Sequence, residues 1–100
     1  MKLAIIASAA FAALPLSAAA QDTAGRNLAA GCAICHGTQG QPGPGAPLIA
    51  LAGMPRDHIA SQMRAFRDGK RPATVMHQIA KGYTDQQIDA MAGWFAAQKR

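Results

Sequence analysis

An all-α fold of short helices is what this sequence predicts, and three observations carry it. Apolar residues recur at helical spacing in two stretches, first Ile59, Met63 and Phe66, then Ile88, Met91, Ala92 and Phe95. Each set falls on one face of a 3.6-residue helix. No stretch alternates apolar and polar residues as a half-buried strand does. Glycine and proline punctuate the segments between, so the helices are short and the connections irregular.

The amino terminus stands apart from that pattern. Lys2 gives a positive start, Leu3 to Leu16 is almost wholly apolar, and Ala18-Ala19-Ala20 places small residues ahead of polar Gln21. This is the layout of a secretory signal peptide over residues 1–20, cleaved near Ala20. As a membrane anchor the run is too short and is interrupted by Pro15, since a span needs about 20 apolar residues. The expectation is export to an oxidising compartment, the periplasm in a bacterium, with no stable membrane anchor. Residues 21–100 then form one small domain with nine Lys and Arg against five Asp and Glu, a formal charge of +4.

Within that domain, Asp22 or Thr23 caps a first helix running through about Ala30. From Gly37 to Pro47 come four glycines and three prolines, which exclude regular structure and suit a backbone lying close against a ligand. The tip of this loop, Gln39 to Gly43, reads equally well as an ordinary flexible loop. A second helix over about Arg56 to Arg67 stops at Asp68-Gly69, and Lys70 to Met76 is another loop. A short helical stretch from about Val75 to Lys81 stops at Gly82. Thr84 with Gln87 makes a capping box that opens the last helix. Gly25 permits the first and last helices to cross closely, with Leu28 meeting Trp94 or Phe95.

The chemistry lies in Cys32-Ala33-Ile34-Cys35-His36. On a helical turn, positions i, i+3 and i+4 share a face, so Cys32, Cys35 and His36 can meet one flat ligand together. Two thiols so spaced match the vinyl groups of a haem, and the imidazole beyond them points at the iron. A thioredoxin-like pair wants a preceding strand and an α/β scaffold. A zinc site wants a second ligand pair, whereas these are the only cysteines and His58 and His77 stand isolated. A disulfide across so short a loop restricts little chain entropy. One covalent haem c is therefore predicted, packed as part of a core that so small a chain barely fills.

For the second axial ligand the candidates are Met54, Met63, Met76 and Met91. Met63 and Met91 fall on apolar helix stripes, where a core role is expected. Met76 sits at a loop-to-helix junction forty residues from His36, enough chain to reach the other face of the haem. Met54, eighteen residues away, is the runner-up, and His77 or His58 would give bis-histidine ligation. Two protein ligands close the iron and leave it an electron carrier; five-coordinate iron would instead make a haem enzyme or gas sensor. Asp68, Asp85 and Asp89 are explained by caps and solvated faces, so no catalytic constellation emerges. Arg64, Arg67, Lys70, Arg71 and Lys81 cluster about the approach to Met76, as a cationic ring at the haem edge or as a solvated face. Nucleic acid is not an expected partner, because the basic residues are not interleaved with stacking aromatics.

Beyond the haem motif, Phe66-Arg67-Asp68-Gly69, Pro72-Ala73-Thr74-Val75-Met76, Ile79-Ala80-Lys81-Gly82-Tyr83 and Met91-Ala92-Gly93-Trp94-Phe95 carry a resemblance across the whole of 21–100. The chain resembles class I cytochromes c, and more specifically the cytochrome subunit of flavocytochrome c sulfide dehydrogenase, in a single-haem form. The resemblance implies the small class I cytochrome c fold and no catalytic activity of this chain alone. It implies electrons taken from a flavoprotein sulfide dehydrogenase subunit and passed to a soluble electron acceptor. It also matches Cys32 and Cys35 to the thioether positions, His36 to the proximal ligand, Met76 to the distal ligand, and Pro47 to a loop proline on the proximal side. A free-standing electron shuttle is the other reading the residues allow.

Overall fold

The computed structural model describes residues 4–5, 7–10 and 16–100, with side chains of the first helix described from Thr23 onward. Lys2, Leu3 and residues 11–15 of the predicted leader lie outside the described residues. The first helix, α1, spans Leu16–Ala29, beginning before the Asp22 or Thr23 cap that the sequence suggested. Leu16-Ser17-Ala18-Ala19-Ala20 is rich in alanine, the strongest helix former, so the backbone stays helical across the expected cleavage point. A tight 3₁₀ turn, Ala30–Cys32, leads into the four-residue helix α2, Ala33–His36. A second 3₁₀ turn follows at Thr38–Gly40, then a long loop to Pro55. Helices α3 (Arg56–Arg67), α4 (Met76–Ala80) and α5 (Asp85–Ala96) complete the chain, and the described residues contain no strand.

Helix α3 follows its predicted bounds because both ends carry chemical signals. Pro55 fixes the entry and Asp57 lies in the first turn, where the helix dipole favours a carboxylate. At the far end Lys70 N donates to Ala65 O (2.9 Å) and Gly69 N to Phe66 O (3.3 Å), the paired bonds of a Schellman stop. Helix α5 opens on the predicted capping box, with Gln87 N donating to Thr84 Oγ1 at 3.2 Å and Thr84 N to Gln87 Oε1 at 2.9 Å.

The inward faces of these helices make one core. Ile59, Ala60 and Met63 from α3 meet Ile88, Met91, Ala92 and Phe95 from α5, joined by Ala29 and Ala80. Helix α5 packs against both α1 and α3, and α4 packs against α3. Where α1 crosses α5, a Cβ placed on Gly25 would stand 2.6 Å from the Ala90 carbonyl oxygen and 3.1 Å from Trp94 Cβ. Trp94 therefore takes the crossing contact. Phe95 goes beneath the loop, where a Cβ on Gly40 would meet Phe95 Cδ1 at 2.8 Å. Gly40 adopts φ 76°, and its carbonyl accepts from Leu51 N and Ala52 N, so this part of the glycine-rich loop is fixed onto the core. Gly25→Val is expected to cost about 1–3 kcal/mol through overpacking. Each kcal/mol should lower the melting temperature by roughly 4–8 °C in a domain of this size, measured by circular dichroism of the holoprotein; an unchanged melt would mean that the helices do not touch there.

Two arginines of the basic cluster are committed to carboxylates. Arg64 donates to Asp85 Oδ1 (3.1 Å) and Asp89 Oδ1 (2.8 Å), while Arg67 donates to Asp85 Oδ1 (2.7 Å) and Asp68 Oδ1 (3.2 Å). They tie α3 to α5 across an exposed seam. Hydrogen bonds from Arg67 and then Arg64 hold the Asp85 carboxyl below its ordinary 3.8. A carboxyl depressed in the folded state stabilises fully above its unfolded value, and that contribution is lost as pH falls through the folded value. Asp85→Asn is thus expected to lower the melting temperature slightly at neutral pH, with the gap to the parent protein beginning to close only below pH 3.8 and vanishing below the depressed folded value. Parallel curves down to strong acid would show that the pairs contribute nothing.

Candidate haem-attachment site

Cys32 closes the 3₁₀ turn and Cys35 and His36 end α2, so the motif sits on a helical turn as its spacing predicts. Gly37 N donates to Ala33 O at 3.0 Å, which stops α2 directly after the histidine. Cys32 and Cys35 are not joined by a disulfide. Cys32 is half-buried and its Sγ donates to Met91 Sδ at 3.7 Å, tying the attachment turn to the inward face of α5. Burial, and then the neighbouring Cys35, push its thiol up from the ordinary value of 9.0. Cys35 is exposed. Tyr83 closes over the turn from the α4–α5 junction; its phenol is raised by burial and, secondarily, by Cys32.

His36 is oriented by a backbone group that sequence reasoning missed. Its Nδ1 stands 2.8 Å from the carbonyl oxygen of Ile49. A carbonyl only accepts, so Nδ1 donates and carries the ring proton, leaving the lone pair on Nε2 free to bind a metal. Ile49 lies two residues beyond Pro47, in the loop that the resemblance places on the proximal side. A carbonyl acceptor has no residue signature; only the proximity of Pro47 hinted at it.

Met76 is the first residue of α4, half-buried against the same core on which Cys32 rests. Met54 also packs against that core, but it lines a cavity of about 480 Å³ with Gln41, Pro42, Ala50, Ala52 and Arg100. That cavity holds none of Cys32, Cys35, His36 and Met76. Met63 and Met91 are buried, as their helix stripes predicted. His58 is exposed; His77 is half-buried, its Nδ1 enclosed without a hydrogen-bond partner.

These residues fit a haem. The donor set offers two thiols, one imidazole nitrogen held by its partner for metal binding, and one thioether. Aliphatic side chains lie open on the loop that bonds His36, Leu48 and Ile49 both at about half exposure. A flat apolar macrocycle seated there would cover surface that otherwise costs free energy in water.

No protein-family model matches the chain. Over 95 residues it is 37% identical to a thiosulfate dehydrogenase electron acceptor of Thiomonas intermedia, covering 95% of this chain and 44% of the relative. It is 37% identical over 83 residues to a cytochrome c4 of Pseudomonas aeruginosa, covering 82% of this chain and 40% of the relative. The chain thus spans less than half the length of these two relatives. The cytochrome subunit of sulfide dehydrogenase of Chlorobaculum tepidum is 34% identical over 84 residues, covering 84% of this chain and 74% of the relative. With the helical fold, the fit of the donor set and a relative matched along most of its own length, the chain belongs to the cytochrome c family as a class I member carrying covalent haem c.

Proposed function

We propose that this chain is an exported single-haem electron carrier with His36 and Met76 as axial ligands, taking electrons from a flavoprotein sulfide dehydrogenase and passing them to a soluble acceptor. The observation that carries the reading is the bond from His36 Nδ1 to the Ile49 carbonyl, which holds the ring in the tautomer a metal ligand needs. When bound, haem c supplies a one-electron couple at its iron. The thiols of Cys32 and Cys35 would hold it through thioethers, and His36 Nε2 and Met76 Sδ would ligate its iron. Met54 is disfavoured because it lines a cavity that includes none of Cys32, Cys35 and His36.

Ligation by two side chains leaves no position for a substrate, so reaction chemistry falls to the partner. The partner class is suggested by relatives named for sulfide and thiosulfate dehydrogenases. Export rests on residues 1–20 as a signal peptide; no helix among the described residues is long and apolar enough to cross a membrane. In this reading the mature periplasmic chain begins near Gln21, inside α1.

The test is an optical spectrum of the periplasmically expressed protein, oxidised and reduced, with and without carbon monoxide, together with the mass of its mature amino terminus. Colour that survives denaturation and a low-spin spectrum blind to carbon monoxide are expected. A high-spin spectrum that shifts with the gas would overturn the carrier reading in favour of a five-coordinate enzyme or gas sensor.

A further inference from the structure

The connection from α3 to α4 delivers Met76, and its anchorage is concentrated at Arg71. Lys70 N and Arg71 N both donate to the Ala65 carbonyl, at 2.9 and 3.2 Å. The half-buried Arg71 side chain then turns back onto the same helix. Its guanidinium carbon lies 4.7 Å from the centre of the Phe66 ring, and Nη1 donates to Gln62 Oε1. Gln62 and Phe66 stand one turn apart on α3, so a planar fork can stack on one while bonding the other. Among the described residues Arg71 has no carboxylate partner, so stacking and a hydrogen bond make this clamp without an ion pair.

Beyond the clamp the chain is held by little until Met76. Pro72, Ala73 and Thr74 make no hydrogen bond among the described residues. Proline fixes its own φ and restricts the residue before it, so the direction set at Arg71 is carried into this segment. Helix α4 has only five residues, and Val75 at its N-cap supplies no side-chain bond. So short a helix does not hold itself. Met76 is therefore fixed from one side by the packing of α4 on α3 and from the other by Arg71.

We propose that Arg71, clamped on Phe66 and Gln62, is a positioning residue that keeps Met76 Sδ on the haem iron. The proposal rests on Met76 being an iron ligand. A neutral, soft thioether holds ferric iron less firmly than ferrous, so ligation of the oxidised protein depends on how much chain must be ordered to present the sulfur. Fixing the loop beforehand removes that cost from the iron–sulfur bond.

The experiment is titration of the ferric holoprotein with imidazole, used in its neutral form, which takes the iron where Met76 leaves it. The sulfur-to-iron charge-transfer band and circular dichroism are followed together on heating. Arg71→Ala is expected to raise the apparent imidazole affinity by about tenfold, as loss of one hydrogen bond and one cation–π contact implies. Its band should fade before the helices melt. Arg71→Lys keeps the charge but not the planar fork, and should behave like Arg71→Ala. Lys70→Ala removes the neighbouring exposed cation, whose side chain bonds nothing among the described residues, and should match the parent. In a Met76→Ala background Arg71→Ala should change nothing, because no sulfur remains to be positioned. Parent-like behaviour of Arg71→Lys would overturn the proposal by making charge the cause. A band lost only as the helices melt would make Arg71 merely structural. An effect of Arg71→Ala that persists without Met76 would overturn it too, by making the contact one with the haem pocket itself. A parent protein lacking the band fails the ligation reading and this proposal with it. A parent that keeps the band, with an Arg71→Ala variant that binds imidazole no better, fails this proposal alone.

Discussion

Replacing Cys32 and Cys35 together by serine is expected to give a chain that holds no covalent haem and does not fold stably. The protein side of the core is small: among the described residues nine are buried in it, four of them alanine, drawn mainly from α3 and α5. A domain of about 80 residues has little margin, and total stabilities are on the order of 5–15 kcal/mol even for larger ones. On the loop that bonds His36, Leu48 and Ile49 are about half exposed, apolar surface that a bound haem would be expected to cover. Binding energy from the haem is therefore folding energy. The two sulfurs should not be equal. Cys32 is half-buried against Met91, whereas Cys35 is exposed, so Cys32→Ser alone leaves a polar group in the core where Cys35→Ser does not. Circular dichroism melts and haem retention after denaturation check both points. A double variant that melts cooperatively without colour would show that the haem is dispensable to the fold.

Parts of the fold were legible where residue types act locally. Thr84 and Gln87 close their capping box within four residues, and Asp68-Gly69 supply the stop of α3, so those boundaries could be read directly. The start of α1 could not, because Leu16 to Ala20 satisfies a leader and a helix equally well. The 3₁₀ turn at Thr38–Gly40 was also hidden, since it depends on packing of Gly40 over Phe95 rather than on a residue pattern.

At the site, side chains were legible and their supports were not. Cys32, Cys35 and His36 announce themselves by spacing alone. The Ile49 carbonyl and the contact from Cys32 to Met91, 59 residues apart, depend on which segments meet in space. The same blindness made Arg64 and Arg67 look like free cations, because Asp85 and Asp89 lie 18 to 25 residues away in sequence.

Met76→Ala is expected to keep the covalent haem but open the iron. The sulfur-to-iron charge-transfer absorption should disappear, carbon monoxide should bind the reduced protein, and the reduction potential should fall by on the order of 0.1 V, within the roughly 0.8 V range that axial ligands set. The stability cost should stay below the 2–5 kcal/mol typical of fully buried methionines, because Met76 is only half-buried at the start of α4. Three other side chains bear on the outcome: Met54 on the proximal loop, and the histidines His58 and His77. His77 matters most, since it adjoins Met76 and its Nδ1 is enclosed without a partner. If Met76→Ala keeps a low-spin spectrum blind to carbon monoxide, a second substitution decides the cause. Loss of that spectrum in Met76→Ala/His77→Ala would make His77 a replacement donor. Its persistence, with the charge-transfer band intact, would move the thioether ligand to Met54 and reverse the assignment of the two loops to the two faces of the haem.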